Sequence, residues 1–238
     1  IFSDNVAKEE LLKNGYILSS ANSINWGRLA PQIVYYVSAY CDLLNAKRLQ
    51  MGELMNVCVP TGNFGNIFAA YLAKLMGLPI GKLICASNKN NILTDFLQTG
   101  TYDRNRQFHL TMSPSMDILI SSNLERLLYF VAGAQQTKLY MESLARNGAY
   151  TVSNAVKARI DADFCGYFAD ENDTAQTIRK YQDQGYLMDT HTAVASAVLR
   201  DYQQKTGDKT VSVIVSTASP YKFGASVLEA VAGSEACE

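Results

Sequence analysis

Apolar residues recur at helical spacing in some stretches of this chain and in short β-branched runs in others, and the switches between the two mark its elements. Asp4 caps a first helix through Lys13 with Gly15 as its stop signal, and Tyr16 to Leu18 reads as a short strand. A polar loop, Ser19 to Arg28, then feeds a long apolar helix from about Leu29 to Leu44, where Pro31 fits the first turn. Next, Val57-Cys58-Val59 predicts a strand, Pro60 to Asn66 a glycine-punctuated loop, and Ile67 to Met76 an amphipathic helix whose N-terminus points back at that loop. Gly77-Leu78-Pro79 makes a turn, Lys82 to Ala86 a second buried strand, Ser87 to Asn91 a loop, and Ile92 to Gln98 a helix closed by Gly100. Strand and helix alternating in this way predict an α/β chain with a parallel sheet and helices on its faces. Ligands of such sheets collect at the carboxyl ends of the strands, so the Gly62 and Ser87–Asn91 loops are expected to face one crevice.

Beyond Thr101 the periodicity fades into a long loop to Ser121, with at most a short strand around Phe108 to Met112. Ser122-x-x-Glu125 is a capping-box pattern opening a helix through Val131, and Gln136 to Arg146 predicts another. Tyr150 to Val152 is a candidate strand. Helices at Ala155–Ile160 and Thr174–Gln182 bracket an acidic turn, Asp161 to Asp173, which lacks EF-hand spacing and reads as a solvated face. Asp189-Thr190-His191-Thr192 begins a helix to about Gln203, in which His191 reads as a capping or packing residue. Thr210 to Val215 is the clearest buried strand; Ser216 to Pro220 follows, then a last helix from Tyr221 to Ala232. With no repeat, low-complexity tract or linker, residues 1–238 read as one domain.

Composition narrows the function classes. Nearly half the residues are apolar, enough for a substantial core, and the formal charge of -1 gives no electrostatic case for nucleic acid or an anionic membrane. No apolar stretch reaches bilayer length and no signal-peptide pattern opens the chain, so the cytoplasm is the expected compartment. The five cysteines (Cys41, Cys58, Cys85, Cys165, Cys237) form no Cys-x-x-Cys pair and read as reduced, mostly buried thiols, while His109 and His191 alone do not make a metal site. The chain opens on Ile1 and enters a helix almost at once, as a piece of something longer would.

Three places carry candidate chemistry. Gly62 and Gly65 can take positive φ and let an anion approach the backbone, beside the orphan N–H groups of the following helix; the alternative is an ordinary glycine turn. Asn22, Asn25 and Arg28 gather at another helix start, where an arginine fork can hold a second anion, or where an Asn cap and a solvated Arg account for them equally. A hydroxyl in the Ser216–Ser219 run sits at a strand's carboxyl end, as a ligand contact or as a cap for the helix at Pro220.

Taken together, Asn22-Ser23-Ile24-Asn25 with Arg28, Pro60-Thr61-Gly62-Asn63-Phe64-Gly65-Asn66, Asp189-Thr190-His191-Thr192-Ala193 and Ser216-Thr217-Ala218-Ser219-Pro220-Tyr221-Lys222-Phe223 resemble successive signatures of the threonine synthases, in the family's order. Two positions depart from the pattern: Ser219 replaces a histidine, which alters the crevice rim, and Thr190 replaces a proline at a helix entry. The resemblance implies a three-layer α/β/α fold with a mostly parallel sheet, like that of tryptophan synthase β (fold type II of the pyridoxal 5′-phosphate enzymes). It implies conversion of O-phospho-L-homoserine and water to L-threonine and phosphate, in threonine biosynthesis. By the same resemblance Gly62, Asn63, Phe64, Gly65 and Asn66 hold the cofactor phosphate through backbone N–H groups. Thr217 meets the pyridine nitrogen, and Asn22 and Arg28 bind the substrate phosphate.

The family's Schiff-base lysine lies in a Phe-Lys-Asp type of motif that this sequence lacks; Lys89 and Lys222 have the wrong context and read as surface or helix-start lysines. The expectation is therefore the C-terminal, cofactor-phosphate-binding part of the enzyme, inactive in isolation, with no catalytic residue of its own and its N-terminal part as partner. Two alternatives stand beside it: another lyase of the same fold, such as a dehydratase or a cysteine synthase, and a non-catalytic phosphate-binding domain. The first usually carries a more glycine-dense loop and has no need of Arg28.

Overall fold

A computed structural model describes residues 4–19 and 22–233. Its centre is a parallel four-stranded sheet in the order β5-β2-β1-β6, built from β1 (Met55–Pro60), β2 (Ile80–Ser87), β5 (Phe164–Phe168) and β6 (Ser212–Ile214). Strand alternation divides the apolar residues between two faces. Val57, Val59, Leu83 and Cys85 join one core with Tyr36 of α3 (Ile33–Asn45), Ile67 and Phe68 of α4 (Gly65–Leu75), Phe96 of α5 (Ile92–Thr99), Leu127 of α6 (Leu124–Ala132) and Ile160 of α8 (Asn154–Asp163). Cys58, Ile84 and Ala86 turn the other way, onto Val194 and Val198 of α10 (Thr190–Thr206). Outside α10 lie α9 (Glu171–Gln182) and α11 (Gly224–Ala232), joined through Ile178, Ala193, Val227 and Ala230. The result is the expected three-layer α/β/α arrangement.

Several elements fall where the periodicity puts them. Asp4 caps α1 (Asn5–Lys13) by accepting from Ala7 N, and Gly100 closes α5 at a φ of 78°. Others differ, for local physical reasons. Tyr16–Leu18 is irregular and exposed or half-buried, with no strand to pair with among the described residues. The long helix expected from Leu29 comes in pieces: α2 (Trp26–Leu29), a 3-10 turn at Ala30–Gln32 where Pro31 supplies no N–H, and then α3. Phe108–Met112 is not a strand. Instead β3 (Thr101–Asp103) pairs antiparallel with β4 (Ala149–Thr151), through which Tyr102 and Tyr150 stack at 5.4 Å. α7 (Ala134–Asn147) leads into β4.

The acidic turn hides β5. Its flanking aspartates mask an apolar run, in which Gly166 lets α5 close in: a Cβ there would lie 2.9 Å from Thr94 Cα. β6 is shorter than its β-branched run and half-buried, because it is an edge strand. Of the cysteines, Cys58 and Cys85 are buried, Cys165 is partly so, and Cys41 is exposed, so the thiols are less uniformly hidden than expected; Cys237 lies outside the described residues. Burial pushes the Cys85 thiol up to about 12, which makes it a poor nucleophile.

A polar plug holds the edge strand at its amino end. The register shifts between Met55 and Val57, and Asn56 fills the irregularity, accepting from Lys82 N at 2.7 Å and donating to Asp208 Oδ2 at 2.8 Å. Asp208 also accepts from Tyr202 Oη at 2.6 Å and Thr210 N at 2.9 Å. The Thr210 and Tyr202 bonds hold its carboxyl well below the usual range. Asp208→Ala is expected to lower stability by about 2 kcal/mol at neutral pH, in line with hydrogen bonds to a charged group. Because the folded-state pKa is depressed, that contribution is present above the unfolded value of about 4 and fades as pH falls below it. Urea unfolding at pH 7 and pH 3 checks this: a wild-type advantage that does not shrink in acid contradicts the assignment.

Candidate functional site

The loop after β1 shows how the site is built. Thr61 N extends the ladder to Ala86 O at 2.8 Å, and α4 begins at Gly65. The loop's positive φ, 62°, belongs to Phe64 rather than to Gly62 or Gly65, which corrects the conformational reading of the glycines. Left-handed geometry costs a side-chain residue about 1–2 kcal/mol. Burial of the Phe64 ring against Phe164, at 5.6 Å, offsets it. The glycines serve close packing instead. A Cβ on Gly62 would lie 2.7 Å from Ser115 O and 3.3 Å from Met116 Cα, and one on Gly65 would lie 3.2 Å from Asn123 Nδ2 and 3.5 Å from Ser23 Cβ.

The carbonyls of this loop are held from one side. Ser121 Oγ donates to Gly62 O at 2.8 Å, while Asn123 donates to Asn63 O twice, from N at 3.0 Å and from Nδ2 at 2.8 Å. No described residue accepts from the backbone N–H of Gly62, Asn63, Phe64, Gly65 or Asn66. Successive unpaired N–H groups ahead of a helix form a concave anion cradle. Nothing local in the sequence marks Ser115, Ser121 or Asn123, and the capping-box pattern there points to Ser122 instead. In the structure Asn123 occupies the cap position of α6 without capping it, because its Oδ1 accepts from Arg126 while its Nδ2 donates to the loop.

The Asn22–Arg28 loop lies beside the cradle, with Ser23 next to Gly65. Asn22 Oδ1 accepts from Ile24 N at 3.0 Å and Asn25 Oδ1 from Gly27 N at 2.9 Å; Asn22 and Arg28 are exposed. Arg126 ties this loop to the cradle's support, donating to Ile24 O at 2.6 Å and to Asn123 Oδ1. On the other side, β6 runs parallel to β1 with Ile214 opposite Cys58, and Val215 N donates to Cys58 O at 3.0 Å. Thr217, exposed, therefore follows the carboxyl end of the strand next to the cradle. Ser219 makes no side-chain cap for the turn at Pro220.

The Ser87–Asn91 loop does not offer its amides to a crevice. Asn88 Nδ2 donates to Asp117 Oδ1 at 2.7 Å and Thr111 Oγ1 at 2.8 Å, and Asn90 brackets His109 by bonds to its O and N. Both asparagines are spent holding the long 104–120 loop across the strand ends. The Asp189 carboxylate, 1% exposed, accepts from His191 N at 2.9 Å and Nδ1 at 3.1 Å, from Thr192 N at 3.3 Å and from Thr192 Oγ1. Burial alone raises its carboxyl, but the bonds from His191 and Thr192 outweigh that and hold it low. His191 is buried, its ring 4.6 Å from Phe223 and both its ring nitrogens hydrogen-bonded, to Asp189 and to Ser115. No group of metal-ligating side chains occurs among the described residues.

A family model described as "Threonine synthase, C-terminal" matches residues 192–237. Human threonine synthase-like 1 is 47% identical over 223 residues, 91% of this chain and 29% of that protein. Threonine synthase of Saccharomyces cerevisiae is 36% identical over 91% of this chain and 45% of its own length. The crystal structure of PLP-bound threonine synthase from Brucella melitensis superposes with a TM-score of 0.86 at 40% identity, covering 98% of this chain and 47% of that one. The chain belongs to the threonine synthase family, in its carboxyl-terminal part.

This chain thus spans less than half the length of the threonine synthases it matches. Lys89 and Lys222 are exposed, as surface lysines are. The unpaired amides of Gly62–Asn66 fit a dianionic phosphate ester of the kind the PLP-bound relative holds, so the residues present suit that cofactor.

The two glycines differ in what a side chain would meet. Gly62→Ala drives a Cβ into backbone and is expected to destabilise by about 1–3 kcal/mol, whereas Gly65→Ala displaces only a side-chain amide and costs less. Urea midpoints of the two variants check this; an equal or reversed order contradicts the packing role of Gly62.

Proposed function

We propose that this chain is the cofactor-phosphate-binding portion of a threonine synthase, a single carboxyl-terminal domain over residues 1–238. Combined with a lysine-bearing amino-terminal part, it would convert O-phospho-L-homoserine and water to L-threonine and phosphate. The observation that carries the reading is the row of five amides at Gly62–Asn66 with no partner among the described residues, beside the strand end that leads to Thr217. The place of this reaction is threonine biosynthesis, and no described helix is long and apolar enough to cross a membrane.

The roles follow from the chemistry. The amides of Gly62, Asn63, Phe64, Gly65 and Asn66 hold the cofactor phosphate and so orient the ring. When bound, pyridoxal 5′-phosphate supplies an electron sink for charge developing on the substrate. Thr217 offers the pyridine nitrogen a neutral hydroxyl, which leaves that nitrogen largely unprotonated, where an aspartate would hold a proton on it. Arg28, with Asn22, grips the substrate phosphate, whose charge grows as it leaves; a guanidinium fork also fixes its direction.

A second reading, a phosphate-binding family member that does not complete the reaction, draws on the 47% identity to threonine synthase-like 1, against 36% to the yeast synthase. Titrating the chain with pyridoxal 5′-phosphate, followed by quenching of its single tryptophan, Trp26, tests what both readings share. Saturable binding displaced by inorganic phosphate is expected, and no binding removes both. Turnover of O-phospho-L-homoserine by the chain joined to a lysine-bearing half separates them.

Two variants test the assignments. Gly65→Val, if folded by circular dichroism, is expected to lose cofactor retention; normal retention removes the cradle. Arg28→Ala is expected to weaken O-phospho-L-homoserine binding by about tenfold or more, as loss of a charge-assisted bond would, while sparing cofactor binding. Equal loss of both would count against its assigned role.

A further inference from the structure

We infer that Asp189 is a positioning residue that sets both ends of the cofactor site through two hydrogen-bonded arms. The inference rests on the cofactor reading above and adds to it residues with no ligand contact of their own.

A helix cap alone does not explain this residue. Capping α10 needs one oxygen accepting from His191 N and Thr192 N, which a Ser, Thr or Asn supplies without burying a charge. Asp189 is 1% exposed, and it takes two further side-chain donors, His191 Nδ1 and Thr192 Oγ1. Each of these leads to a different end of the site.

The first arm runs through His191. Its Nε2 accepts from Ser115 N at 3.2 Å, so the ring proton sits on Nδ1 and is donated to Asp189. Ser115 is the residue whose carbonyl closes on Gly62, leaving no room for a Cβ. His191 thereby holds the floor beneath the phosphate cradle. The second arm runs through Thr192, whose hydroxyl lies 3.2 Å from Ser216 Oγ. The same Thr192 hydroxyl that donates to Asp189 is also the one in contact with Ser216, the residue immediately before Thr217. One carboxylate is thus bonded toward the phosphate end and toward the pyridine end.

Each arm can be cut separately and read with pyridoxal 5′-phosphate as the probe on the full chain. Thr192→Val removes the second arm at nearly constant volume, and Thr192→Ser restores its hydroxyl. His191→Phe keeps a ring beside Phe223 but removes the acceptor for Ser115. Thr192→Val is expected to shift the pH profile of the bound cofactor's absorption spectrum while affinity stays within about threefold, and Thr192→Ser to return it. His191→Phe is expected to weaken both the cofactor and competing inorganic phosphate by about tenfold, the scale of one lost hydrogen bond, with the spectrum unchanged. Folded variants with wild-type affinity and spectrum reduce Asp189 to a cap and overturn the inference. So does a spectrum and an affinity that change together in both variants, since that marks a general loosening. Wild-type chain that binds no cofactor overturns the proposed function itself, and is told apart because it needs no variant.

Discussion

A peptide unit cannot turn its N–H toward a ligand without turning its C=O the other way. The cradle at Gly62–Asn66 rests on that constraint. Ser121 and Asn123 hold the carbonyls of Gly62 and Asn63 from one side, and the amides that follow are left without partners among the described residues. Unpaired amides in a buried setting are costly. They persist here because the packing of Gly62 on Ser115, the buried ring of Phe64 and the start of α4 together over-determine the turn.

The rest of the molecule supplies what that turn needs. The parallel sheet delivers β1 and β6 side by side, so that the cradle and Thr217 leave the same edge. The long 104–120 loop, held down by Asn88 and Asn90 and by Met112 N on Glu171 Oε2 at 2.8 Å, brings Ser115 to Gly62. Arg126 then couples the Asn22–Arg28 loop to Asn123. Loops that look like connections by composition are, in this fold, the walls of the site.

Much of this was legible in the residues, and the part that was not has a common cause. Periodicity located β1, α4, β2, α5 and α10 closely, because each is a buried run with a clear stop. Two of the four family signatures fall in loops at strand ends, after β1 and β6, and the other two at the starts of α2 and α10. What failed were inferences that depend on contacts between distant segments. The glycines looked like φ donors, whereas Phe64 carries the positive φ and the glycines make room for residues far along the chain. Asn88 and Asn90 looked like crevice residues because nothing local reveals that Asp117 and His109 claim their amides. The same blindness turned Asn123 into a bystander of a capping box, and hid β5 among acidic neighbours whose charge says nothing about a strand's burial.

The strand order has a kinetic meaning as well. β1, formed early in the sequence, finds one of its two neighbours in β6, near the other end, and the Asp189 network joins the 113–123 segment only when α10 is in place. Pairing so remote closes large loops and is slow. On a translating ribosome, therefore, the contacts that tie Ser115 and Ser216 to the Asp189 network stay unmade until most of these residues have emerged.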